Sequence, residues 1–244
     1  MKKVAIFTEG QSEQIFVRHF LEEKIGWERI SFRCLKLYSN TLFDVPFSHC
    51  SSNADVYFLL INVGNDEKVL SAIREREEEL IKKGYEKIIA LRDMYSESYC
   101  RRSTRQISDS ITENFLSHWR STIQTMSEPS KISIQVAIME LEAWFLGMYS
   151  IFEKIDSKLN IGYIQSELGF NLRSVDPQKE FFHPSDTLNS IFRLIGSQYR
   201  KSKGEVENIC SKIKSTDYCT TFMDGRCSSF KEFYQELLTL AQKT

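Results

Sequence analysis

The sequence lacks the cysteine and histidine patterns of a zinc site. Its six cysteines are scattered, none forms a Cys-x-x-Cys pair, and no histidine stands at zinc-ligand spacing from any of them. The four histidines show no ligand spacing among themselves. These absences argue against a zinc finger and against an HNH-type nuclease. We therefore expect reduced thiols in a cytoplasmic protein.

Long apolar runs and an excess of one charge are also missing. The Lys-Lys start leads into too few apolar residues for a signal peptide, and no run approaches the length of a membrane span. The net charge is -1, so any contact with nucleic acid requires a local basic patch. No Gly-x-x-x-x-Gly-Lys-Ser/Thr loop is present, so we expect no nucleotide hydrolysis by this chain itself. Membrane association is not expected.

What the sequence does contain is an alternation of β-type runs and helical patterns. The predicted strands are 3–7, 30–38, 55–63, 86–93 and 131–139; the predicted helices include one beginning near Ser12 and those over 65–84 and 107–126; 39–54 and 95–106 are predicted polar loops. This order predicts an α/β fold with a mainly parallel, Rossmann-like sheet and helices on both faces. Residues 1–150 are expected to form this core, and the mostly helical residues 151–244 a C-terminal region packed on it.

Acidic side chains follow three of the predicted strands. Glu9 comes after the first, Asp93 ends the fourth, and Glu140 and Glu142 follow the fifth, with Glu13 one helical turn beyond Glu9. Ligands of open α/β sheets bind at the carboxyl ends of the strands. Magnesium prefers carboxylate oxygens together with water and phosphate, and two such ions can clamp a phosphodiester. The coincidence of three strand ends predicts a magnesium site.

Each carboxylate also has a purely structural interpretation. A glutamate at a helix start, as at Glu9 or Glu13, stabilises the helix dipole. Asp93 fits a turn. Glu140 and Glu142 are two residues apart and would not share a helix face, so at most one is expected to point at the site unless the segment is extended there.

Several segments resemble motifs of TOPRIM domains. VAIFTEGQSEQIFV resembles the first motif, in which a strand delivers a glutamate that a glycine follows, and IALRDMYSE stands where the Asp-x-Asp motif lies. IQVAIMELEAWFLG resembles the Glu-x-Glu-Ala-hydrophobic segment of a TOPRIM-like family of unknown function. HPSDTLNSIF, YRKSKG and RCSSFKEFYQEL resemble its Pro-Ser, Tyr-x-Lys-x-x-Gly and Cys-x-x-Phe elements. The resemblance covers most of the chain.

This resemblance implies a magnesium-binding (or manganese-binding) TOPRIM fold, related to nucleases of the overcoming-lysogenization-defect type. The implied catalytic residues are Glu9, Asp93, Lys201 and, as the additional acid, Glu142 or Glu140. The candidate metal ligands are Glu9, Glu13, Asp93, Glu97 and Glu140. The chain departs from the family at Tyr95, which replaces the second aspartate of Asp-x-Asp. Either Glu97 replaces that ligand from the loop, or the site holds one ion.

Basic residues follow Asp93 and surround Lys201. The candidate nucleic-acid contacts are Arg101, Arg102, Arg105, Arg200 and Lys203. Arginines near a metal site hold a phosphate backbone by charge-assisted hydrogen bonds, and Lys201 could stabilise charge on a pentavalent phosphate. The alternative is that these are ordinary solvated side chains of exposed loops.

Two functions from different classes remain. The first is a magnesium-dependent nuclease that cleaves DNA or RNA. By family analogy it would be the effector of a bacterial anti-phage defence system, with an ABC-type or AAA-type ATPase as its partner. It could also form a homodimer. The second is a regulatory subunit that keeps the TOPRIM shape without catalysis and docks on the ATPase. Tyr95 and the near-zero net charge favour the second. A primase or topoisomerase module is not favoured, because no strand-passing or zinc-binding element accompanies the fold.

Overall fold

Six strands form one mostly parallel sheet in the computed structural model, which describes residues 1–64 and 68–241. They are β1 Lys2–Thr8, β2 Ile30–Tyr38, β3 Thr41–Asp44, β4 Val56–Asn62, β5 Lys87–Asp93 and β6 Ile132–Ala137. The order across the sheet is β3-β2-β4-β1-β5-β6. β1 pairs in parallel with β4 and β5, β2 pairs in parallel with β4, and β3 pairs antiparallel with β2. The predicted α/β class with a mainly parallel sheet is confirmed.

Helices connect the strands and make up most of the chain after β6. Before β6 they are α1 Gln11–Lys24, α2 Val69–Arg74, α3 Glu77–Lys82, α4 Glu97–Ser103 and α5 Asp109–Gln124. After β6 they are α6 Glu142–Gly147, α7 Ile151–Ile155, α8 Ile161–Leu168, α9 Pro177–Glu180, α10 Pro184–Arg193, α11 Lys203–Lys212, α12 Ser215–Asp224 and α13 Ser228–Ala241. None of the helices in the described ranges is both long and apolar enough to cross a membrane.

The chain divides into two compact units that interleave in sequence. The first comprises residues 1–92 and 110–136 and the chain from Gln235 on, and it carries nearly the whole sheet. The second comprises residues 93–109 and 137–234 and is mostly helical. These units do not coincide with a division at residue 150, and the two domains expected from the sequence stay a prediction.

Apolar runs explain the central strands of the first unit. Val4 to Phe7 of β1 and Phe58 to Ile61 of β4 are buried or nearly so. Strands that are buried on both faces have nearly continuous apolar sequences, and these two segments have such sequences. α1 covers them with Phe16 and Phe20, both fully buried. The polar side chains of the central strands are therefore confined to the strand ends.

β3 lies within residues 39–54, which the sequence predicted as a loop, and that prediction is wrong. Ser39 and Asn40 both have positive φ, 46° and 64°, and form the tight turn that pairs Tyr38 with Thr41. All four residues of β3 are exposed. A strand without a buried face shows no alternation of apolar and polar residues, so its sequence gives no strand signal.

The helix predicted over 65–84 is divided into α2 and α3, with its first three residues outside the described part. The break falls at Glu75 and Arg76. The Arg76 guanidinium donates to the carbonyl of Ala72, 3.2 Å away, and to that of Asn40, also 3.2 Å away. It thereby caps α2 and ties it to the β2–β3 turn. A tertiary contact of this kind overrides a local helical pattern.

The predicted loop over 95–106 contains α4, which is a further correction. Ser96 begins this helix in the standard way, since its side chain accepts a hydrogen bond from the backbone N–H of Tyr99 at 3.2 Å. The strand predicted over 131–139 ends at Ala137. Residues 138–141 therefore form an irregular turn before α6.

Two glycines of the second unit allow a matched test of helix packing. A Cβ on Gly147 would lie 2.7 Å from Sγ of the buried Cys227, whereas a Cβ on Gly204 would meet no atom within 4 Å. We expect Gly147→Ala to lower the free energy of unfolding by about 1–3 kcal/mol through overpacking. We expect Gly204→Ala to leave it unchanged or raise it by up to about 0.5 kcal/mol, because alanine favours the helix. Urea unfolding measures both, and equal effects would contradict the described packing of α6.

Candidate active site

Three carboxylates of the second unit converge on one lysine. The Nζ atom of Lys201 lies 3.0 Å from Oε2 of Glu142, 3.3 Å from Oε1 of Glu140 and 3.7 Å from Oδ2 of Asp93. The three acids are buried, while the Lys201 side chain keeps 35% of its surface exposed. The structure thus brings together four of the residues that the sequence singled out.

The second oxygen of each carboxylate is held by a donor of the protein. Oδ1 of Asp93 accepts from the backbone N–H of Leu141 at 2.9 Å, and Oε2 of Glu140 accepts from that of Ser185 at 2.8 Å. Oε1 of Glu142 accepts from the Tyr199 hydroxyl at 2.6 Å. One oxygen of each acid is therefore fixed, and the other faces the ammonium; for Glu140 that inward oxygen, Oε1, also accepts from the Ser185 hydroxyl at 3.0 Å. Side chains held in this way are preorganised for a cation.

The backbone places these groups at irregular positions. Asp93 is the last residue of β5, and Glu142 is the first of α6. Glu140 precedes the helix and follows Met139, whose φ is 65°; the φ of Lys201 is 56°. Non-glycine residues in this left-handed region carry a conformational cost that is common at functional sites. Glu140 lies before α6, so the two glutamates are not two positions apart on one helix, and both approach Lys201.

The charges of this cluster do not balance. Three carboxylates and one ammonium sum to -2 when all are ionised. Burial, the largest effect, raises the pKa of Glu142, and Glu140 raises it further; Lys201 and Tyr199 oppose the shift. Burial of several carboxylates side by side favours protonation of one of them or the approach of a further cation.

The donor set of the cluster has the chemistry that magnesium requires. Three carboxylate oxygens of the kind that it prefers point to one place. As the side chains stand around Lys201, no group of three or more His, Cys, Asp or Glu residues within 1–64 and 68–241 is arranged to hold a metal ion. Lys201 Nζ lies close to all three inward oxygens, so a metal would have to share or replace its contacts. The predicted magnesium stays a prediction.

Tyr95, which replaces the second motif aspartate, has partners of its own. Its hydroxyl lies 3.0 Å from Nε2 of His183, and its ring contacts those of His183 and Phe182. Burial first, and then the hydrogen bond with Cys100, raises the pKa of Tyr95 to about 12. The phenol is therefore protonated at neutral pH and is a poor ligand for a metal.

The other predicted residues of the second unit lie on its surface. Glu97 is exposed on α4 and pairs with Arg101 one turn later, and neither belongs to the carboxylate cluster. Arg102 and Arg105 are exposed in and after the same helix. The exposed Arg200 guanidinium donates from Nε to Gln198 at 3.0 Å, and Lys203 lies 4.0 Å from Glu207. Their predicted contacts with nucleic acid stay predictions.

Glu9 and Glu13 belong to the first unit. Oε2 of Glu13 accepts from the backbone N–H of Gly10 at 2.8 Å, which is the structural helix-start role that the sequence left open. A Cβ at Gly10 would lie 2.9 Å from the same oxygen, so glycine permits this close approach. Glu9 follows β1 and lines an open cleft. That either glutamate binds a metal stays a prediction.

Sequence reasoning missed the side chains that orient the carboxylates. Ser185 donates to Glu140 from both its backbone N–H and its hydroxyl, the latter at 3.0 Å, and Tyr199 holds Glu142. Ser185 is the serine of HPSDT, and Tyr199 stands two residues before Lys201 in YRKSKG. In the sequence, both segments carry only a resemblance to motif elements. The signal in the sequence for these two residues is the order of the motif-like segments. Their contacts with the carboxylates form only when segments distant in the sequence come together.

Comparisons of the chain with protein-family models, with curated proteins and with solved structures found no match.

The balance of charges around Lys201 predicts the effect of removing its ammonium. Lys201→Met leaves three close carboxylates facing one another, and we expect the free energy of unfolding at neutral pH to fall by about 2 kcal/mol. The double variant Lys201→Met/Glu142→Gln should recover part of this loss, because it removes one of the repelling charges. Urea unfolding of the two variants measures the coupling.

Lys203→Met is the matched control, because Lys203 is exposed and its pair with Glu207 spans 4.0 Å. It should change the free energy of unfolding by less than about 0.5 kcal/mol. If Lys201→Met were equally neutral, the ion pairs described here would not exist in solution.

Proposed function

We propose that the chain is a metal-dependent hydrolase of nucleic-acid phosphodiesters, a nuclease of TOPRIM type. The observation that carries the proposal is the convergence of one oxygen each from Asp93, Glu140 and Glu142 on the ammonium of Lys201. Such a set of oxygens is suited to a divalent cation, and the lysine beside it is suited to a phosphate. The mainly parallel sheet supports the TOPRIM assignment without distinguishing it from other Rossmann-like folds.

Magnesium or manganese, when bound, supplies Lewis-acid activation of a phosphodiester. The residues of the cluster and the donors that hold them have roles that follow from their contacts. Leu141, Ser185 and Tyr199 fix the outer oxygens of the acids, so the inner oxygens need no reorganisation. Lys201 keeps a third of its side chain exposed. Its ammonium lies beside the acids, where it would neutralise charge that develops on a bound phosphate. The exposed Arg102 and Arg105 are available to contact phosphates of the nucleic-acid backbone on either side of the cleaved bond.

A regulatory subunit is the second candidate, and a specific observation favours it. Lys201 already contacts all three carboxylates, so a cation of the chain itself takes the position that a metal needs. Tyr95 in place of an aspartate weakens the ligand set further. In this alternative the cluster is a structural ion-pair network, and the chain acts on an ATPase partner of the ABC or AAA type. A noncatalytic chain would bind the partner without cleaving nucleic acid under any metal.

Metal binding separates these candidates. We expect calorimetric titration of the full chain with magnesium or manganese chloride to show saturable binding, because a second cation balances the charge of -2. Asp93→Asn and Glu140→Gln should each weaken binding by about ten-fold or more, since each removes one charged ligand. The same variants should lose metal-dependent cleavage of single-stranded and duplex DNA and RNA.

Glu97→Gln is the matched acid control, because Glu97 is exposed and paired with Arg101; it should bind metal as the wild type does. Glu9→Gln tests the sequence prediction that Glu9 shares the metal with Asp93. Full metal-dependent cleavage by Asp93→Asn would refute the assignment of the reaction to this carboxylate cluster. Absence of metal binding by the wild type, with and without an oligonucleotide, would favour the regulatory subunit.

A further inference from the structure

Lys201 is the most exposed member of the carboxylate cluster. Its side chain keeps 35% of its surface exposed, whereas those of Asp93, Glu140 and Glu142 keep 6%, 9% and 0%. An ion from solution therefore reaches the inner oxygens from the side on which the lysine enters. The ammonium stands on that approach, so a metal ion and the lysine compete for the same oxygens.

The ammonium satisfies the inner oxygens incompletely. It donates a hydrogen bond to Oε1 of Glu140 at 3.3 Å, an oxygen that also accepts from the Ser185 hydroxyl. Oε2 of Glu142 lies 3.0 Å from Nζ, yet within residues 1–64 and 68–241 it has no hydrogen-bond partner. A buried oxygen without a hydrogen bond is costly. Magnesium bonds to carboxylate oxygens at about 2.0–2.1 Å and needs no aligned N–H group, so it would satisfy this oxygen where the lysine does not.

The backbone on both sides of Lys201 is held in place. Oε2 of Glu205 accepts from the backbone N–H of Arg200 at 3.1 Å and from that of Ser202 at 2.8 Å. The backbone N–H of Tyr199 donates to Oδ1 of Asn189 at 3.0 Å. A lysine side chain, in contrast, is a flexible four-carbon stem. The ammonium can therefore leave the carboxylates by rotation of its side chain, without movement of the backbone.

A phosphate would give the displaced ammonium a new partner. A cation among the three carboxylates repels the ammonium, and a phosphodiester beside that cation attracts it through charge-assisted hydrogen bonds. The phosphodiester thus stabilises the arrangement in which the lysine has left the acids and the cation has entered. By linkage, each of the two ligands then strengthens the binding of the other by the same factor.

We propose that Lys201 is an exchangeable occupant of the metal position, and that a divalent cation and a phosphodiester together displace its ammonium from the carboxylates. This inference rests on the proposed function, because it takes the cluster to be the metal site of a nuclease. It adds a regulation of that site. The chain alone holds its own cation among the acids, and the metal is bound tightly only when a substrate phosphate is present.

Manganese binding by the full chain tests the competition between lysine and metal. Electron paramagnetic resonance measures the free Mn²⁺ and does not depend on catalysis. We expect Lys201→Met to bind Mn²⁺ about ten-fold more tightly than the wild type, because no ammonium competes for the carboxylates. Mn²⁺ should also raise the thermal midpoint of this variant more than that of the wild type. Lys203→Met removes the same charge from an exposed lysine of α11 and should change the affinity by less than about two-fold.

Dimethyl phosphate, the smallest phosphodiester, tests the coupling to the substrate. We expect it to tighten the binding of Mn²⁺ to the wild type by about five-fold or more, because it gives the displaced ammonium a partner. It should have little effect on Lys201→Met, which has no ammonium to displace. An Mn²⁺ affinity of the wild type that is the same with and without dimethyl phosphate would overturn the proposed exchange.

The remaining outcomes separate this inference from the proposed function. Saturable Mn²⁺ binding by the wild type that is at least as tight as that of Lys201→Met would overturn the exchange and leave the nuclease proposal standing. Binding by Lys201→Met alone, with none by the wild type even in dimethyl phosphate, would make the lysine a permanent occupant and favour the regulatory subunit. Absence of binding by both proteins would overturn the inference and the metal site alike. Lys201→Gln takes the place of Lys201→Met in each comparison if the latter does not fold.

Discussion

The contact of one ammonium with three carboxylates is the interaction on which the second unit depends. It joins the end of β5, the turn before α6 and the segment before α11, which are far apart in sequence. Ser185 at the start of α10 and Tyr199 complete the network. Taking so many charges out of water is expensive, and apolar side chains of the same size would stabilise a fold at least as well. Stability alone therefore does not account for the network.

Apolar packing supplies the rigidity that this network needs. All six residues of α6 are buried, and Trp144 packs against Phe230 and Phe233 of α13. The Trp144 indole N–H donates to the Ser229 hydroxyl at 2.9 Å, which fixes the ring within the core. Glu142 is thus the first residue of a helix whose movement is restricted by the surrounding core. Precise placement of a charged group requires such a support.

The sequence predicted those parts of the structure that depend on local pattern. β1, β4 and β5 are apolar runs, and their burial in a parallel sheet follows from composition and order. Asp93 was found because it ends such a run. β3 escaped prediction because no residue of it is buried, and the break between α2 and α3 depends on Arg76 reaching Asn40 across the chain. Tyr199 and Ser185 were missed for the same reason, since their roles exist only once distant segments meet.

β3 also has a consequence for how the protein behaves at high concentration. It is one of the two outer strands of the sheet, and Leu42 and Phe43 on it are exposed. Unpaired backbone groups beside exposed apolar side chains offer a template for another chain. β3 is only four residues long, and a bidentate pair between Arg33 and Asp44 places charge beside its end. The short length of β3 and this charged pair limit how far a second strand could pair along this edge. The hairpin of β2 and β3 therefore limits self-association through the edge of the sheet.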